Sequence, residues 1–174
     1  GNATNFGDIQ TARGTTCGVS SSTRGIVAGG CVYGPNTILA SIEYVTIAST
    51  GNATTFGNLT QAGYGLASGG DSTRGVFAGR YNPSGAVYYN TIDYITIAST
   101  GNATSFGTVG TTRMFMEGAS STVRIAYGGG WNNPTYYANI DYVTTQTTGN
   151  TTNFGNLTQA RYTAAVSSNA HGGL

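Results

Sequence analysis

One phrase, Gly-Asn-Ala/Thr-Thr-X-Phe-Gly, is repeated through the chain and limits the folds that the chain can adopt. Its asparagine stands at positions 2, 52, 102 and 150, so successive copies are 50, 50 and 48 residues apart. A spacing of this size is typical of solenoids and propellers, in which each repeat buries its apolar surface against its neighbours. The chain is therefore predicted to be a repeat array.

The composition favours β-structure with many turns. Only 7% of the residues are charged, whereas Gly (28) and Tyr (12) are abundant beside many Val, Ile and Thr. A disordered chain would be poor in aromatic and β-branched residues. The net charge is +1 without a basic run, so we expect no nucleic-acid partner. No apolar run approaches the ~20 residues that span a bilayer, so we expect no membrane span.

Aligned on the phrase, each repeat divides into four short β-segments. In the first repeat they are residues 10–19, residues 24–30, residues 41–48 and a last segment that ends at Phe56. Residues 42–47 carry bulky apolar groups on both faces, which indicates a sheet that is covered on both sides. The sequence predicts an all-β fold of four-stranded antiparallel sheets stacked around an axis, a β-propeller.

The repeated Gly-Asn is predicted to close a tight hairpin before the last segment, because both residue types tolerate a positive φ. Six Asn-X-Thr triplets in which X is not proline occur, and four of them belong to this phrase. We attribute the triplets to turn geometry, with glycosylation in a secreted protein as the alternative.

About three and a half repeats fit the chain as a single array over residues 1–174. We expect this array to be part of a larger propeller. The alternative is a four-bladed ring that closes when residues 1–7 pair beside the last segment. The predicted blades are 8–57, 58–107 and 108–155, with a partial blade at 156–174 and with 1–7 as the last strand of a preceding blade.

Two further predictions concern packing. Phe56, Phe106 and Phe154 are expected to be buried between neighbouring blades, and the same is expected of Ile42, Ile92 and Ile140. If residues 20–22 form a turn, Cys17 lies opposite about residue 27. Cys17 and Cys31 are therefore expected to be two independent, partly buried thiols rather than a disulfide.

An acidic residue recurs at one position of every full repeat, as Glu43, Asp93 and Asp141. Such recurrence indicates a structural contact, because a site used once does not recur in every blade. Folding the hairpins places Arg13 opposite about Gly30 and Glu43 opposite about Gly29, so that the guanidinium can reach the carboxylate across bare glycines. In the second repeat Gly63 replaces the arginine and Arg80 replaces the second glycine. The predicted structural pairs are Arg13–Glu43, Arg80–Asp93 and Arg113–Asp141.

Catalytic chemistry has few candidates in this sequence. The chain has six acidic residues and one histidine, His171, which aligns with the arginines at the start of the second segments. A metal site needs several histidine, cysteine or carboxylate ligands, and the glycine clusters do not precede helices as phosphate loops do. We therefore predict no catalytic residue, no cofactor and no metal, and expect that the protein is not an enzyme.

The loops between the second and third segments are residues 31–40, 81–90 and 131–138, and they vary while the scaffold repeats. Because strands alternate in direction, these loops should all project from one side. Tyr, Trp and Asn supply rigid aromatic area and adaptable hydrogen bonds, as in paratopes, and also suit sugars. The alternative is that the tyrosines only hold the loops against the blades. The candidate binding residues are Tyr33, Tyr81, Asn82, Tyr88, Tyr89, Trp131, Asn132, Asn133, Tyr136 and Tyr137.

The order of Arg13, Gly29-Gly30, Glu43-Tyr44 and Phe56 resembles the kelch repeat, with Phe where kelch units usually carry Trp. The phrase Gly-Asn-Ala-Thr-Asn-Phe-Gly and the ending Ser-Asn-Ala-His-Gly-Gly-Leu are similar to kelch-type repeats in virion and tail-fibre-like proteins of marine cyanobacterial phages. This resemblance implies a virion or extracellular location and a role in adhesion or receptor binding. The implied partners are a host-surface protein or glycan and other virion or fibre subunits, including further copies of the chain.

Two other functions are compatible with the same sequence. The first is a purely architectural virion or extracellular fibre protein, in which the blades are spacers and subunit contacts. The second is a secreted carbohydrate-active enzyme built on a propeller.

Overall fold

A computed structural model describes residues 1–166, which form three four-stranded antiparallel sheets and two small hairpins. Each large sheet comes from one repeat, and its strands lie side by side in chain order. The strands of the first repeat are β1 (Cys17–Ser20), β2 (Arg24–Ala28), β3 (Cys31–Val32), β4 (Thr37–Ile38), β5 (Ser41–Thr46) and β6 (Thr54–Asn58). Sheet one consists of β1, β2, β5 and β6, and β3 pairs with β4 in a small hairpin.

Sheets two and three repeat this order. Sheet two consists of β7 (Ala67–Gly70), β8 (Arg74–Asn82), β9 (Val87–Thr96) and β10 (Thr104–Thr108). Sheet three consists of β11 (Glu117–Ser120), β12 (Arg124–Gly128), β15 (Asn139–Thr144) and β16 (Thr152–Asn156), with the small hairpin of β13 (Trp131–Asn132) and β14 (Thr135–Tyr136). The predicted all-β fold of four-stranded antiparallel sheets is confirmed. Residues 1–166 form no closed ring of sheets.

A polar side chain closes the turn between the first two strands of each sheet. The Ser21 hydroxyl accepts hydrogen bonds from the Thr23 and Arg24 N–H groups, and Ser121 does the same in sheet three. In sheet two the Asp71 carboxylate takes this role. Short polar side chains that bond the backbone two or three residues on favour such turns over continued strand. The predicted hairpin is confirmed, and Cys17 lies opposite Ala28, one residue from the expected register.

The sheets pack against one another through two apolar cores. The core between sheets one and two joins Ile42 and Phe56 to residues of sheet two such as Phe77 and Ile97. On its other side, sheet two packs Ile92 and its neighbours against sheet three. Because successive side chains of a strand point to opposite faces, sheet two contributes to both cores. The predicted covering of a sheet on both sides is confirmed for sheet two but not for sheet one, from whose residues 42–47 it was inferred, since Ile47 is 45% exposed.

The predicted burial of the phenylalanines is correct for two positions and wrong for the third. Phe56 and Phe106 are each 3% exposed, whereas Phe154 is 63% exposed. Likewise Ile42 and Ile92 are fully buried, but Ile140 is only partly buried. Each of these four buried residues has the sheet of the next repeat packed against it. No such sheet covers sheet three in the part of the chain that the structure describes.

The first predicted segment, residues 10–19, is mostly not a strand. The first strand begins only at Cys17, because Thr15 has a left-handed backbone conformation with φ of 52°. Gly65 and Phe115 hold the same conformation in the next repeats. The Gly65 N–H donates to the Thr15 carbonyl and the Phe115 N–H to the Gly65 carbonyl, so this kink links one repeat to the next. The residues before it form loops instead of pairing in the sheet.

The Gly-Asn phrase does not make the tight hairpin that we predicted. Seven residues separate β5 from β6, and their amides bind the preceding repeat instead. The Gly101 N–H donates to the Phe56 carbonyl at 2.8 Å, and the Asn102 side chain accepts the Asn58 N–H at 3.0 Å. A Cβ atom on Gly57 would lie 2.1 Å from the Gly101 carbonyl oxygen, and Gly7 and Gly107 meet the next phrase in the same way, which explains these three glycines but not Gly155, where nothing lies within 4 Å.

Residues 1–9 contact sheet one as the last strand of a preceding repeat would. The Gly51 N–H donates to the Phe6 carbonyl at 2.7 Å, and the Asp8 N–H donates to the Asn52 side chain at 3.0 Å. These bonds match those between the first and second repeats. The expected partial blade is described only as far as residue 166, so its continuation over 167–174, with His171, lies outside the described residues.

Candidate recognition surface

All three predicted ion pairs are formed, and each is buried. The distance from Arg13 Nη2 to Glu43 Oε1 is 2.7 Å, and the arginine side chain is fully buried. The corresponding nitrogen-to-oxygen distances are 2.8 Å for Arg80–Asp93 and 2.6 Å for Arg113–Asp141.

The exchange of arginine and glycine in the second repeat has a steric reason. A Cβ atom on Gly63 would lie 2.7 Å from Arg80 Cγ, and one on Gly130 would lie 2.9 Å from Arg113 Cδ. Two neighbouring backbone positions therefore share room for one arginine side chain. Either position can carry it, provided that the other is glycine.

The predicted register of the acidic residue is wrong by two positions. Glu43 lies opposite Val27 rather than Gly29, because Gly29 and Gly30 have φ of 63° and 105° and leave the strand ladder. The carboxylate also accepts the Gln10 N–H at 2.9 Å. These contacts tie the loop before the first strand to the third strand. Their burial and backbone partners assign the pairs a structural role.

At the loop end of the stack, where each chain segment passes from the second to the third strand, aromatic rings form a continuous cluster. Tyr81 packs on Tyr64 and Tyr88, and Tyr88 packs on Trp131 with ring centroids 6.2 Å apart. The cluster continues from Trp131 to Tyr162 and on to Tyr136. We call this set the aromatic cluster: Tyr64, Tyr81, Tyr88, Phe115, Trp131, Tyr136 and Tyr162.

Tyr33 lies beside this cluster and shares a cleft with it. The cleft has a volume of about 360 Å³ and is lined by Tyr33 and Asn36 from the first loop, Pro83 from the second, and Tyr64 and Phe115. Tyr33 is 66% exposed, and Tyr136 is 51% exposed. The loops of two consecutive repeats therefore meet at one opening, next to an aromatic surface that extends to the third.

The remaining candidate residues have more local contacts. Tyr137 is partly buried, and its ring lies 5.8 Å from the Arg113 guanidinium, so it belongs to the support of an ion pair. Tyr89 is partly buried and lies opposite Arg80. Neither residue joins the aromatic cluster.

Two of the three candidate asparagines use their side chains within the protein. The Asn82 side chain accepts the Ser84 N–H at 3.0 Å, and the Asn132 side chain donates to the Thr112 carbonyl at 2.9 Å. Asn133 is exposed and uses its backbone N–H, which donates to the Tyr88 hydroxyl at 3.2 Å. These bonds fix the second and third loops.

Sequence reasoning missed Tyr64, Phe115 and Tyr162, which come from the segments before the first strands. The sequence-based prediction places those segments in the sheet. The kink at Gly65 and Phe115 lifts them to the loop end, where Tyr64 pairs with Tyr81. The sequence offered one signal, a position next to the repeated strand at which the residue type varies. This position is occupied by Gly14, Tyr64, Met114 and Tyr162 in successive repeats.

The aromatic cluster contains no acidic or basic side chain, which suits apolar or hydroxyl-rich partners better than ionic ones. Burial raises the pKa of Tyr64, and the neighbouring Tyr81 raises it further. Cys17 and Cys31 are free, and burial raises the pKa of the Cys17 thiol to about 12. A protonated thiol is a poor nucleophile.

The part of the chain that the structure describes, residues 1–166, offers neither a cluster of metal ligands nor a membrane-spanning helix. No group of three His, Cys, Asp or Glu residues lies close enough to hold a metal ion. None of the helical segments within this range has the length and apolar character to cross a membrane.

No protein-family model matches the chain, and no curated protein is significantly similar to it.

Proposed function

We propose that the chain is an array of kelch-like β-propeller blades in a phage virion or tail-fibre-like protein, and that it binds a host-surface glycan or protein without catalysing a reaction. The aromatic cluster and its cleft at the loop end form the binding surface. The location of the protein is the virion or the extracellular space, as the resemblance of its repeats implies.

The observation that carries this proposal is the continuity of the aromatic cluster across repeats. Its rings come from the second and third loops, residues 81–90 and 131–138, and from the segments that precede the first strands. These rings nevertheless contact one another directly. Aromatic rings present a negative face to the C–H groups of a partner, so an uncharged sugar ring can pack on them. Loops on a rigid scaffold are the usual place for binding residues.

Binding to a glycan array and to host cells tests the proposal. We expect Tyr136→Ala and Tyr33→Ala to abolish most binding, because both side chains are exposed at the loop end. Val123→Ala is the matched control, since Val123 is 58% exposed in a turn at the other end of sheet three. Unchanged binding in both tyrosine variants, with intact folding, would contradict the proposal.

An architectural fibre protein is the second candidate, and a different observation favours it. The outer faces of sheets one and three expose apolar side chains, among them Ile47 and Phe154, that are buried elsewhere in the array. Under this function Ile47→Asp and Phe154→Asp variants should fail to assemble into particles or fibres, whereas the loop-end tyrosine variants should assemble normally.

A further inference from the structure

The two places where neighbouring loops meet are built differently: an aromatic ring joins the second and third loops, whereas the cleft lies between the first and second. The loops can be aligned through Cys31, Tyr81 and Trp131, since each pairs with the segment before the first strand of its own repeat. Only the first repeat has a small side chain at this position. The cleft lies between two loops of this chain and not at an outer face of the array.

Tyr88 closes the junction of the second and third loops. Its ring centroid lies 4.5 Å from that of Tyr81 and 6.2 Å from that of Trp131. Its hydroxyl accepts the Asn133 N–H at 3.2 Å. The ring and the hydrogen bond together join the two loops.

The first junction cannot close in the same way, because the sequence lacks each of these groups there. Ile38 is the counterpart of Tyr88, as its pairing with Cys31 shows, and isoleucine has no hydroxyl. Pro83 is the counterpart of Asn133, and proline has no backbone N–H. The cleft of about 360 Å³ therefore lies where aromatic rings lie at the next junction.

The lining of the cleft combines aromatic rings with uncharged polar groups. Tyr33 and Tyr64 supply two rings and two hydroxyls, and Asn36 supplies an amide. Unlike the Asn82 side chain, the Asn36 amide makes no hydrogen bond within residues 1–166. Hydroxyl and amide groups both donate and accept hydrogen bonds, and sugar hydroxyls match them because they do the same. The C–H groups of a sugar ring also pack well on the negative face of an aromatic ring.

No charged residue lines the cleft, which restricts the ligand to a neutral group. A charged group would lose its hydration there without gaining a partner of opposite sign. The volume lies at the lower end of the range for small-molecule sites, roughly 300–1,000 Å³, so it suits one ring better than several. We propose that the cleft binds one neutral hexose unit of a glycan, and that the small side chain of Cys31 keeps the space open for it. This inference rests on the proposed function and assigns the position at which the sugar binds.

NMR titration of the full chain with simple sugars tests the proposal. The probes are the methyl glycosides of glucose, galactose and mannose, each compared with the uronic acid that has the same ring. We expect at least one neutral probe to bind and to shift the amide signals of Asn36 and Tyr64. Its uronic acid should bind at least about tenfold more weakly, because the carboxylate finds no cation in the cleft.

Two variants fill the cleft, and two others leave it open. Cys31→Tyr introduces the residue that the second repeat carries, and it should weaken binding at least about tenfold. Ile38→Tyr fills the same space from the facing strand, so the test does not depend on the folding of one variant. Cys31→Ala is the matched control and should bind like the parent.

Asn36→Ala keeps the volume of the cleft and removes the amide, so it should weaken binding about fivefold. The backbone tolerates this change, since the counterpart Ala86 has the same left-handed conformation, with φ of 50° against 54° at Asn36. Circular dichroism should be that of the parent in all four variants.

Several results would overturn the assignment. They are the absence of binding by every neutral probe, equal binding of the uronic acids, loss of binding in Cys31→Ala, or parent-like binding by the folded Cys31→Tyr and Ile38→Tyr variants. Binding to host cells separates this failure from failure of the proposed function. If the filling variants bind cells like the parent while Tyr136→Ala does not, the cleft assignment is wrong and the proposed function stands. If neither change affects cell binding, both are wrong.

Discussion

Phe106 and Phe154 occupy the same position in the last strands of sheets two and three, yet the first is 3% exposed and the second 63%. Their local surroundings within each sheet are alike, since each packs edge-on against the tyrosine of the neighbouring strand, Tyr94 or Tyr142, at 6.0 and 6.1 Å. The difference is that a following sheet packs on Phe106, whereas among residues 1–166 none packs on Phe154. Burial in this molecule is set between repeats rather than within them.

Sheet two is covered on both faces, whereas sheets one and three are each covered on one. Phe77 and Ile97 of sheet two face sheet one, and Val76 and Ile92 face sheet three. Stability in stacked repeats is approximately a sum of the stability of each repeat and of the interfaces between neighbours. Changes in sheet two should therefore weaken both junctions, and changes on the outer faces should weaken neither.

The largest effect is expected from breaking the ion pair of sheet two. Arg80→Ala leaves the buried Asp93 carboxylate without its cation, which should lower the free energy of unfolding by about 5 kcal/mol. Chemical denaturation measures the loss. In a double variant, Arg80→Met with Asp93→Asn, no charge is left unpaired, and we expect it to recover more than half of the stability. Equal losses in the single and double variants would contradict this explanation.

Phe106 and Phe154 are a matched pair of residues that tests the comparison between a covered and an uncovered sheet face. Phe106→Ala should cost about 3–5 kcal/mol of unfolding free energy, because it leaves a cavity between sheets two and three. Phe154→Ala should change it by no more than about 0.5 kcal/mol, as for other exposed positions. Denaturation of the two variants at low protein concentration, where copies stay apart, measures the difference. Similar losses would mean that Phe154 is covered.

Much of the scaffold could be predicted because it recurs. The spacing of the phrase, the segments rich in Val, Ile and Thr, and the acidic residue of each repeat identified the sheets and all three ion pairs. The exposure of Phe154 could not be inferred in this way, since a repeated residue is equivalent in sequence but not in its neighbours. The Gly-Asn phrase was misinterpreted because its partners lie in the preceding repeat, 44 residues away for Asn52 and Asp8.

The recognition surface was predicted only in part. Varied loops rich in Tyr and Trp pointed to the correct end of the sheets. The contributions of Tyr64, Phe115 and Tyr162 depend on a left-handed backbone at a position occupied by Thr15, Gly65 and Phe115. Only glycine adopts that conformation readily, so the threonine and phenylalanine gave no signal of a kink.

A smaller loss of stability is expected on replacing Arg74 or Arg124, which both stack on strand tyrosines, and the two losses should differ. Arg74 lies 4.4 Å above the Tyr94 ring and also donates to sheet three, so Arg74→Ala should cost about 1–2 kcal/mol. Arg124 lies 4.7 Å above Tyr142 and, among residues 1–166, makes only the stacking contact, so Arg124→Ala should cost about 0.5 kcal/mol. Thermal unfolding monitored by circular dichroism measures both. A larger loss for Arg124→Ala would reverse the comparison.

The smallest effect concerns pH. Burial acts to raise the pKa of Asp71, but hydrogen bonds from Gln146 of sheet three and from the Thr73 and Arg74 N–H groups outweigh it and hold the pKa below its usual range. A carboxyl with a lowered folded-state pKa stabilises the protein above its unfolded pKa of about 4, and this stability is lost as the pH falls through the folded value. We expect a contribution below about 1 kcal/mol.

Asp71→Ser tests this contribution, because serine closes the equivalent turns at Ser21 and Ser121. Unfolding free energies measured from pH 7 down to pH 2 should fall less steeply in the variant than in the parent. Identical pH dependence in the two proteins would show that Asp71 does not contribute.

Amide hydrogen exchange followed by NMR tests the stacking of the repeats most directly. The Gly101 and Gly149 N–H groups lie in exposed turns, and their only partners are the Phe56 and Phe106 carbonyls of the preceding sheets. If the sheets stack as described, these two amides should exchange as slowly as the inner strand β8. The junction of sheets one and two must open to release Gly101, and the junction of sheets two and three must open to release Gly149. Rapid exchange at Gly101 and Gly149 while β8 stays protected would mean that the sheets fold separately, and would contradict the stacked arrangement.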